Sequence, residues 1–228
     1  MPTDLSSPID AALFDLDGTL VHTAPCIAAA LNAALAVRGL GPIETAAVTT
    51  MIGGGVPMLI ERALTRLGVK YEPPLAESIL ADYRKFYLHD PDAMPLPFAG
   101  VERALADLQR MGLKLGVVTN TFDRFVREIL RHTALAQLFD IVVSADTVPE
   151  RKPHPAPLLY ACRTLAVEPQ RALFVGDSRN DAEAAQAAHM RMVCMTYGYN
   201  EGNSVAELPC LALLADMGAL PALISVWR

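Results

Sequence analysis

The chain has 228 residues, 52% of them hydrophobic and 19% charged, with a formal net charge of -6. That length holds one large domain, or one domain carrying a smaller one, and the apolar share excludes a disordered chain. The acidic balance excludes a general nucleic-acid binder, which would carry a basic face, but leaves room for a local anion site.

Along the chain, Asp10 to Asp15 is a short apolar run that ends in acids and a glycine, which reads as a buried strand delivering Asp15 to a loop. From about Ala24 to His89 there are helix signals and no convincing strand. Ile27 to Val37 is rich in Ala and Leu and stops at Gly39 to Pro42. Met51 to Gly55 breaks the next segment. Pro57 opens a helix to Leu67, with Gly68 behind it as a stop, and Leu75 to Leu88 is amphipathic. Pro91 to Gly100 is proline-rich and reads as a linker.

The texture then alternates. Strands are predicted at Lys114–Thr119, Ile141–Ser144, Ala172–Gly176, Arg191–Thr196 and Leu211–Leu214. Helices are predicted at Phe122–His132, Ala156–Ala166 and Asn180–Ala188, with another at the end of the chain. Short apolar strands alternating with helices predict an α/β fold, a parallel sheet covered on both faces. Its first strand precedes an all-helical insert and the rest follows it. The expected division is a core of residues 1–20 and 97–228, with a helical lid of residues 21–96 over the edge where such sheets bind ligands.

Cys26, Cys162, Cys194 and Cys210 lie far apart without ligand spacing, so they read as buried free thiols in a reducing compartment. Met1 to Asp10 has acids and no apolar stretch, so no export signal is expected there. Leu211 to Trp227 is apolar but interrupted by Asp216, Gly218 and Pro221, which suits a last strand and helix better than a membrane span. A cytoplasmic protein without a membrane partner is expected.

Four strand ends carry chemistry-bearing residues. Asp15-Leu-Asp17-Gly-Thr19 admits a polar turn, or a nucleophilic carboxylate with a second acid two residues on. A calcium loop of the EF-hand type does not fit, because Gly18 is at its fourth position and Cys26 at its twelfth. Thr119-Asn120 could be a strand residue and a helix cap, or donors to phosphoryl oxygens. Lys152 opens Lys152-Pro-His-Pro155, where the prolines bar a regular helix and stiffen the loop. It reads as a solvated charge, or as a cation offsetting a carboxylate and a phosphate. Asp177 and Asp181 could be helix-start charges; Asp177 with Asp15 also suits magnesium, with Asp17 joining through its carbonyl. Together these are the parts that phosphoryl transfer requires.

The ordered set Asp15 to Thr19, Thr119, Lys152 and Gly176 to Asp181 resembles the haloacid dehalogenase superfamily. Within it the chain is similar to the phosphoglycolate phosphatases, through Phe14 to Leu20, Ile52-Gly53, Glu61 to Leu64, Val118 to Asn120, Lys152 to Pro155, Phe174 to Asp181 and Thr196 to Asn200. The resemblance implies a Rossmann-like core with a helical cap, a magnesium cofactor and hydrolysis of 2-phosphoglycolate, a small phosphorylated metabolite. It implies Asp15 as nucleophile, Asp17 as acid and base, and Thr119 and Lys152 as phosphoryl ligands. Asp15, Asp17 and Asp177 would meet the metal, with Asp181 supporting that shell. The chain departs from the family at His22, at Thr121-Phe122, where Lys-Pro is common, and at His189, where glycine is common; none of these is expected to touch the hydrolytic machinery.

For the substrate's far end, the candidates are the backbone amides of Gly53 and Gly54, together with Asn120 and Arg62, the last of which also reads as a solvated helix charge. The competing activities are phosphatases of sugar phosphates or pyrophosphate. More remote are a phosphohexomutase, a carbon–halogen hydrolase, which needs no second acid, and a phospho-accepting signalling module, which lacks a helical insert.

Overall fold

The first strand, β1 (Ala11–Phe14), is wholly buried and sits in the middle of a six-stranded sheet. In the computed structural model of the protein, which describes residues 7–227, the strand order is β5-β4-β1-β6-β7-β8 and every pairing is parallel. Here β4 is Lys114–Val118, β5 Ile141–Val143, β6 Ala172–Gly176, β7 Arg191–Met195 and β8 Ala212–Leu214. Residues Met1 to Ser6, most of the segment read above for an export signal, lie outside the described residues.

Side chains alternate along each central strand, and this divides the interior into two cores. Ala12 and Phe14 of β1, Leu173 and Val175 of β6, and Val193 and Met195 of β7 face one way. That face is covered by α5 (Val101–Arg110), α6 (Asp123–His132) and α9 (Leu220–Val226). Ala11 and Leu13, Ala172 and Phe174, and Met192 and Cys194 face the other way. There they meet α7 (Ala156–Leu165) and α8 (Arg179–Ala187). Burial on both faces is why these strands read as continuous apolar runs.

After β1 the chain leaves the sheet through β2 (Val21–His22) and returns through β3 (Leu96–Pro97). These two short strands pair antiparallel, so the two crossing passages form one ribbon. Between them lie α1 (Ala24–Ala36), α2 (Thr45–Thr49), α3 (Val56–Arg66) and α4 (Pro73–Phe86). Prolines sit in the first turn of α1, α3 and α4, where a missing N–H costs nothing. The segment read as a proline linker thus holds a 3-10 turn at Pro91–Ala93 and β3. The following helix α5 was not foreseen, although Val101, Ala104, Leu105 and Leu108 recur at helical spacing and are all buried.

Because β4 and β5 lie on one side of β1 and β6 to β8 on the other, the chain reverses its direction of winding beside β1. The carboxyl end of such a switch point opens a crevice. Among the described residues no helix is long and apolar enough to cross a membrane. Cys26, Cys162 and Cys194 are buried and Cys210 partly so, all as free thiols.

Candidate active site

Asp15 follows β1 directly, and its N–H still donates to the Val175 carbonyl of β6, so the strand ladder fixes where its side chain emerges. The turn beyond it needs Gly18, which adopts φ +90°; a Cβ there would stand 2.9 Å from the Tyr199 ring and press on the Asp177 carboxylate. Thr119 leaves β4 in the same manner, its N–H bonded to the Val143 carbonyl.

Lys152 brings the site together. Its Nζ donates to Asp15 Oδ1 and to Asp181 Oδ1, both at 2.7 Å, and its side chain is 2% exposed. The ammonium lies 5.2 Å above the Phe174 ring. Asn120 holds the Lys152 backbone at both ends: its Nδ2 donates to the Lys152 carbonyl and its Oδ1 accepts from the Lys152 N–H. The Asn120 side chain thus places the lysine, and Asn120, a candidate for meeting substrate, also lines the cavity into which the carboxylates open.

Asp177 and Asp181 are also buried. Asp177 Oδ1 accepts from the Thr19 hydroxyl at 2.6 Å and Oδ2 from the Tyr199 N–H at 2.6 Å. Asp181 Oδ2 accepts from the N–H groups of Asp177 and Ser178 and from the Ser178 hydroxyl, in a capping box that starts α8. With Oδ1 on Lys152, both Asp181 oxygens are engaged, so it orients its neighbours.

Two of the three buried carboxylates, Asp15 and Asp181, share one ammonium. Burial pushes the Asp15 carboxyl up to about 7 against the pull of Lys152, with Asp181 and Asp17 adding to the rise. Burial pushes Asp177 well above the carboxylate range, with Asp181 and Asp15 adding; its bonds from Thr19 and Tyr199 oppose this. Lys152 goes up despite burial, because Asp15 and Asp181 outweigh its desolvation. Asp15, Asp177 and Asp181 can each bring an oxygen within 4.8 Å of the others. A dry, under-compensated carboxylate cluster of hard oxygen donors fits a divalent cation.

Asp17 is held differently. Its Oδ1 accepts from the Thr23 hydroxyl at 2.7 Å and its Oδ2 from the Thr121 hydroxyl at 2.7 Å, with the Thr119 hydroxyl at 3.5 Å. Thr121, expected to stand clear of the machinery, touches it directly. His22 is one residue further off: its Nδ1 pairs with the Tyr199 hydroxyl at 2.6 Å. His189 takes φ +55°, a left-handed conformation that glycine adopts without strain.

The carboxylates open into a cavity of about 80 Å³. Core residues floor it, and the insert roofs it with Ile27, Ile52, Val56, Leu59, Tyr83 and Tyr87 and with the turn Gly53–Gly55. Arg62 does not line it; its guanidinium is turned toward the Met51 carbonyl and Glu201. Among the described lining residues Lys152 is the one cationic side chain. Thr19, Thr23, Thr121 and Tyr199 were assigned no role from the sequence, although Thr19 and Tyr199 belong to its quoted motifs.

Comparison with known proteins agrees with this architecture. The sequence pattern of the haloacid dehalogenase-like hydrolase family matches residues 12–195. A phosphoglycolate phosphatase of Thiobacillus denitrificans is 37% identical over 96% of this chain and 96% of its own. One of Nitrosospira multiformis is 39% identical over 92% and 93%. Among solved structures, a predicted phosphoglycolate phosphatase from Haemophilus somnus superposes with TM-score 0.89 at 30% identity, covering 94% of this chain and 97% of that one. CbbY from Rhodobacter sphaeroides, solved with xylulose-(1,5)bisphosphate, superposes with TM-score 0.77 at 27% identity, covering 93% and 96%.

Proposed function

The chain belongs to the haloacid dehalogenase-like hydrolases, and from that premise we propose that it is a magnesium-dependent phosphatase that hydrolyses 2-phosphoglycolate to glycolate and phosphate. The observation that carries the reading is the Asp15 carboxylate, held 2.7 Å from the buried Lys152 ammonium at the floor of a small cavity.

Under this reading an Asp15 oxygen attacks phosphorus as the bond from phosphorus to the ester oxygen breaks. Asp17 gives its proton to the departing glycolate oxygen. Water then attacks the aspartyl-phosphate, Asp17 takes a proton from it, and Asp15 is released as carboxylate with phosphate. Lys152 and the Thr119 hydroxyl meet the phosphoryl oxygens, and Asp181 keeps Lys152 in place. The carboxylates of Asp15 and Asp177 and the carbonyl of Asp17 would hold magnesium, which supplies charge to offset the phosphoryl group.

Size supports a small ester. A cavity of about 80 Å³ takes roughly six water-sized groups, which suits a two-carbon leaving group better than a nucleotide. Residues 21–96 act as its cap, hinged at the β2–β3 ribbon, and the Gly53–Gly55 turn offers backbone amides to the substrate's carboxylate. A sugar phosphate is the second reading, favoured by the xylulose bisphosphate held by CbbY and by a roof without a cationic side chain. The free cysteines suit a cytoplasmic location.

The test is phosphate release from phosphoglycolate, sugar phosphates, pyrophosphate and nucleotides, with magnesium or with chelator, by the natural protein and by Asp15→Asn. Release that needs magnesium, disappears in Asp15→Asn and is fastest on phosphoglycolate is the expected result. The same pattern with another ester in front would move the substrate. Release by Asp15→Asn equal to that of the natural protein would end the reading.

A further inference from the structure

We propose that Arg62 and Glu201 form an ionic clasp between insert and core that positions the Gly53–Gly55 turn over the phosphoryl site; this rests on the phosphatase reading above. Arg62 lies on α3, and Glu201 follows β7 in the loop that also carries Tyr199. Arg62 Nη2 donates to Glu201 Oε1 at 2.7 Å. Its Nη1 donates to the Met51 carbonyl at 2.9 Å and reaches the Gly53 carbonyl at 3.4 Å. One guanidinium therefore grips both sides of Ile52, a cavity residue, and ties that stretch to the core.

The backbone on each side is shaped for this contact. Gly53 adopts φ +139°, and a Cβ there would stand 2.7 Å from Glu201 Oε1, so a side chain at position 53 would push the carboxylate away. Glu201 itself adopts φ +51°, a conformation that a glutamate holds only where its surroundings require it. Two residues earlier, the Tyr199 N–H donates to Asp177 Oδ2 at 2.6 Å. The chain of contacts thus runs from Asp177 through the loop at Tyr199 to Glu201, then through Arg62 to the turn that roofs the cavity. A solvated helix charge would need none of it, and a substrate ligand would point into the cavity.

The pair is partly exposed, at 28% for Arg62 and 37% for Glu201, so its ionic part is modest. The carbonyl bonds make Arg62 the larger contributor. Hydrogen–deuterium exchange of the amides of residues 52–56 in the metal-free chain reads the clasp without any activity. In Glu201→Ala that exchange should accelerate about threefold. In Arg62→Ala it should accelerate about tenfold, and in the double variant by the same factor as in Arg62→Ala. For the best ester of the panel, kcat/KM should fall in the same order, with the change carried by KM. Unaltered exchange at residues 52–56 in Arg62→Ala overturns the proposal, as does a Glu201→Ala effect that adds in full to that of Arg62→Ala. If Arg62→Ala lacks a cooperative thermal transition, Glu201→Gln decides: it keeps the shape and loses the charge, and unchanged exchange in it overturns the proposal too. A chain that releases no phosphate yet shows this coupling would sink the phosphatase reading and leave the clasp standing.

Discussion

Lys152→Met is the sharpest test of how the site is held together. The change keeps the length of the side chain and removes an ammonium that stands 2.7 Å from each of two carboxylates in a region where the lysine side chain is 2% exposed. Breaking a buried ion pair on one side costs about 3–5 kcal/mol, a large share of the ~5–15 kcal/mol that holds a domain folded. The cost depends on pH. The Asp15 carboxyl, already pushed up by burial, loses the one group that pulls it down. A carboxyl with a folded pKa above its unfolded one weakens the fold at pH above both and ceases to do so below the unfolded value. The stability gap between natural and variant protein should therefore be widest near pH 8 and narrow as pH falls through about 7, where Asp15 of the natural protein takes up its proton as well. Urea unfolding of the metal-free proteins at a series of pH values measures this. A gap under about 1 kcal/mol at pH 8, or one that widens on acidification, would refute the account of Lys152 as the charge that makes this cluster tolerable.

Three further outcomes follow from the same geometry. Magnesium should raise the melting temperature of the metal-free protein more at pH 8 than at pH 5.5, because burial pushes Asp15 and Asp177 up and their protons must leave before they ligate; calorimetry at the two pH values checks it. Thr121→Val removes a 2.7 Å donor to Asp17 and should lower kcat about tenfold, while Thr121→Ser should recover most of it in the same phosphate-release assay. His189→Gly relieves a left-handed backbone at an exposed position and should stabilise the fold by about 0.5–1 kcal/mol in thermal unfolding.

What could be read from the chain without coordinates was the part that depends on periodicity. The strands at Leu115, Ala172 and Arg191 are buried on both faces and the edge strand at Ile141 partly so, so their apolar runs stand out. The parallel sheet followed from their alternation with helices. The β2–β3 ribbon was invisible for the opposite reason. Two strands of two residues each carry no period, and their pairing joins Val21 to Pro97 across the whole insert. Helix α5 was legible in principle, since its apolar residues keep helical spacing, but it follows a proline-rich stretch that drew the reading toward a linker.

The site divides along a similar line. Residues at strand ends are placed by the ladder, so Asp15, Thr119 and Asp177 could be expected to converge once the strands were known, and they do surround one cavity. Side chains that act through another group leave no such trace. Asn120 was read as a donor to substrate, and Arg62 as a cation for it or a solvated charge. Each side chain bonds a partner far away in sequence, Lys152 in one case and Glu201 in the other. Composition cannot separate those uses, because an arginine that grips a carboxylate of the chain and one that grips a carboxylate of a ligand need the same donors. The difference lies in which carboxylate is within reach, and Glu201 reaches Arg62 beside a Gly53 that leaves room for it. With a side chain at position 53, a Cβ would stand 2.7 Å from Glu201 Oε1 and the carboxylate would have to shift, while the Arg62 bond to the Met51 carbonyl would be left in place.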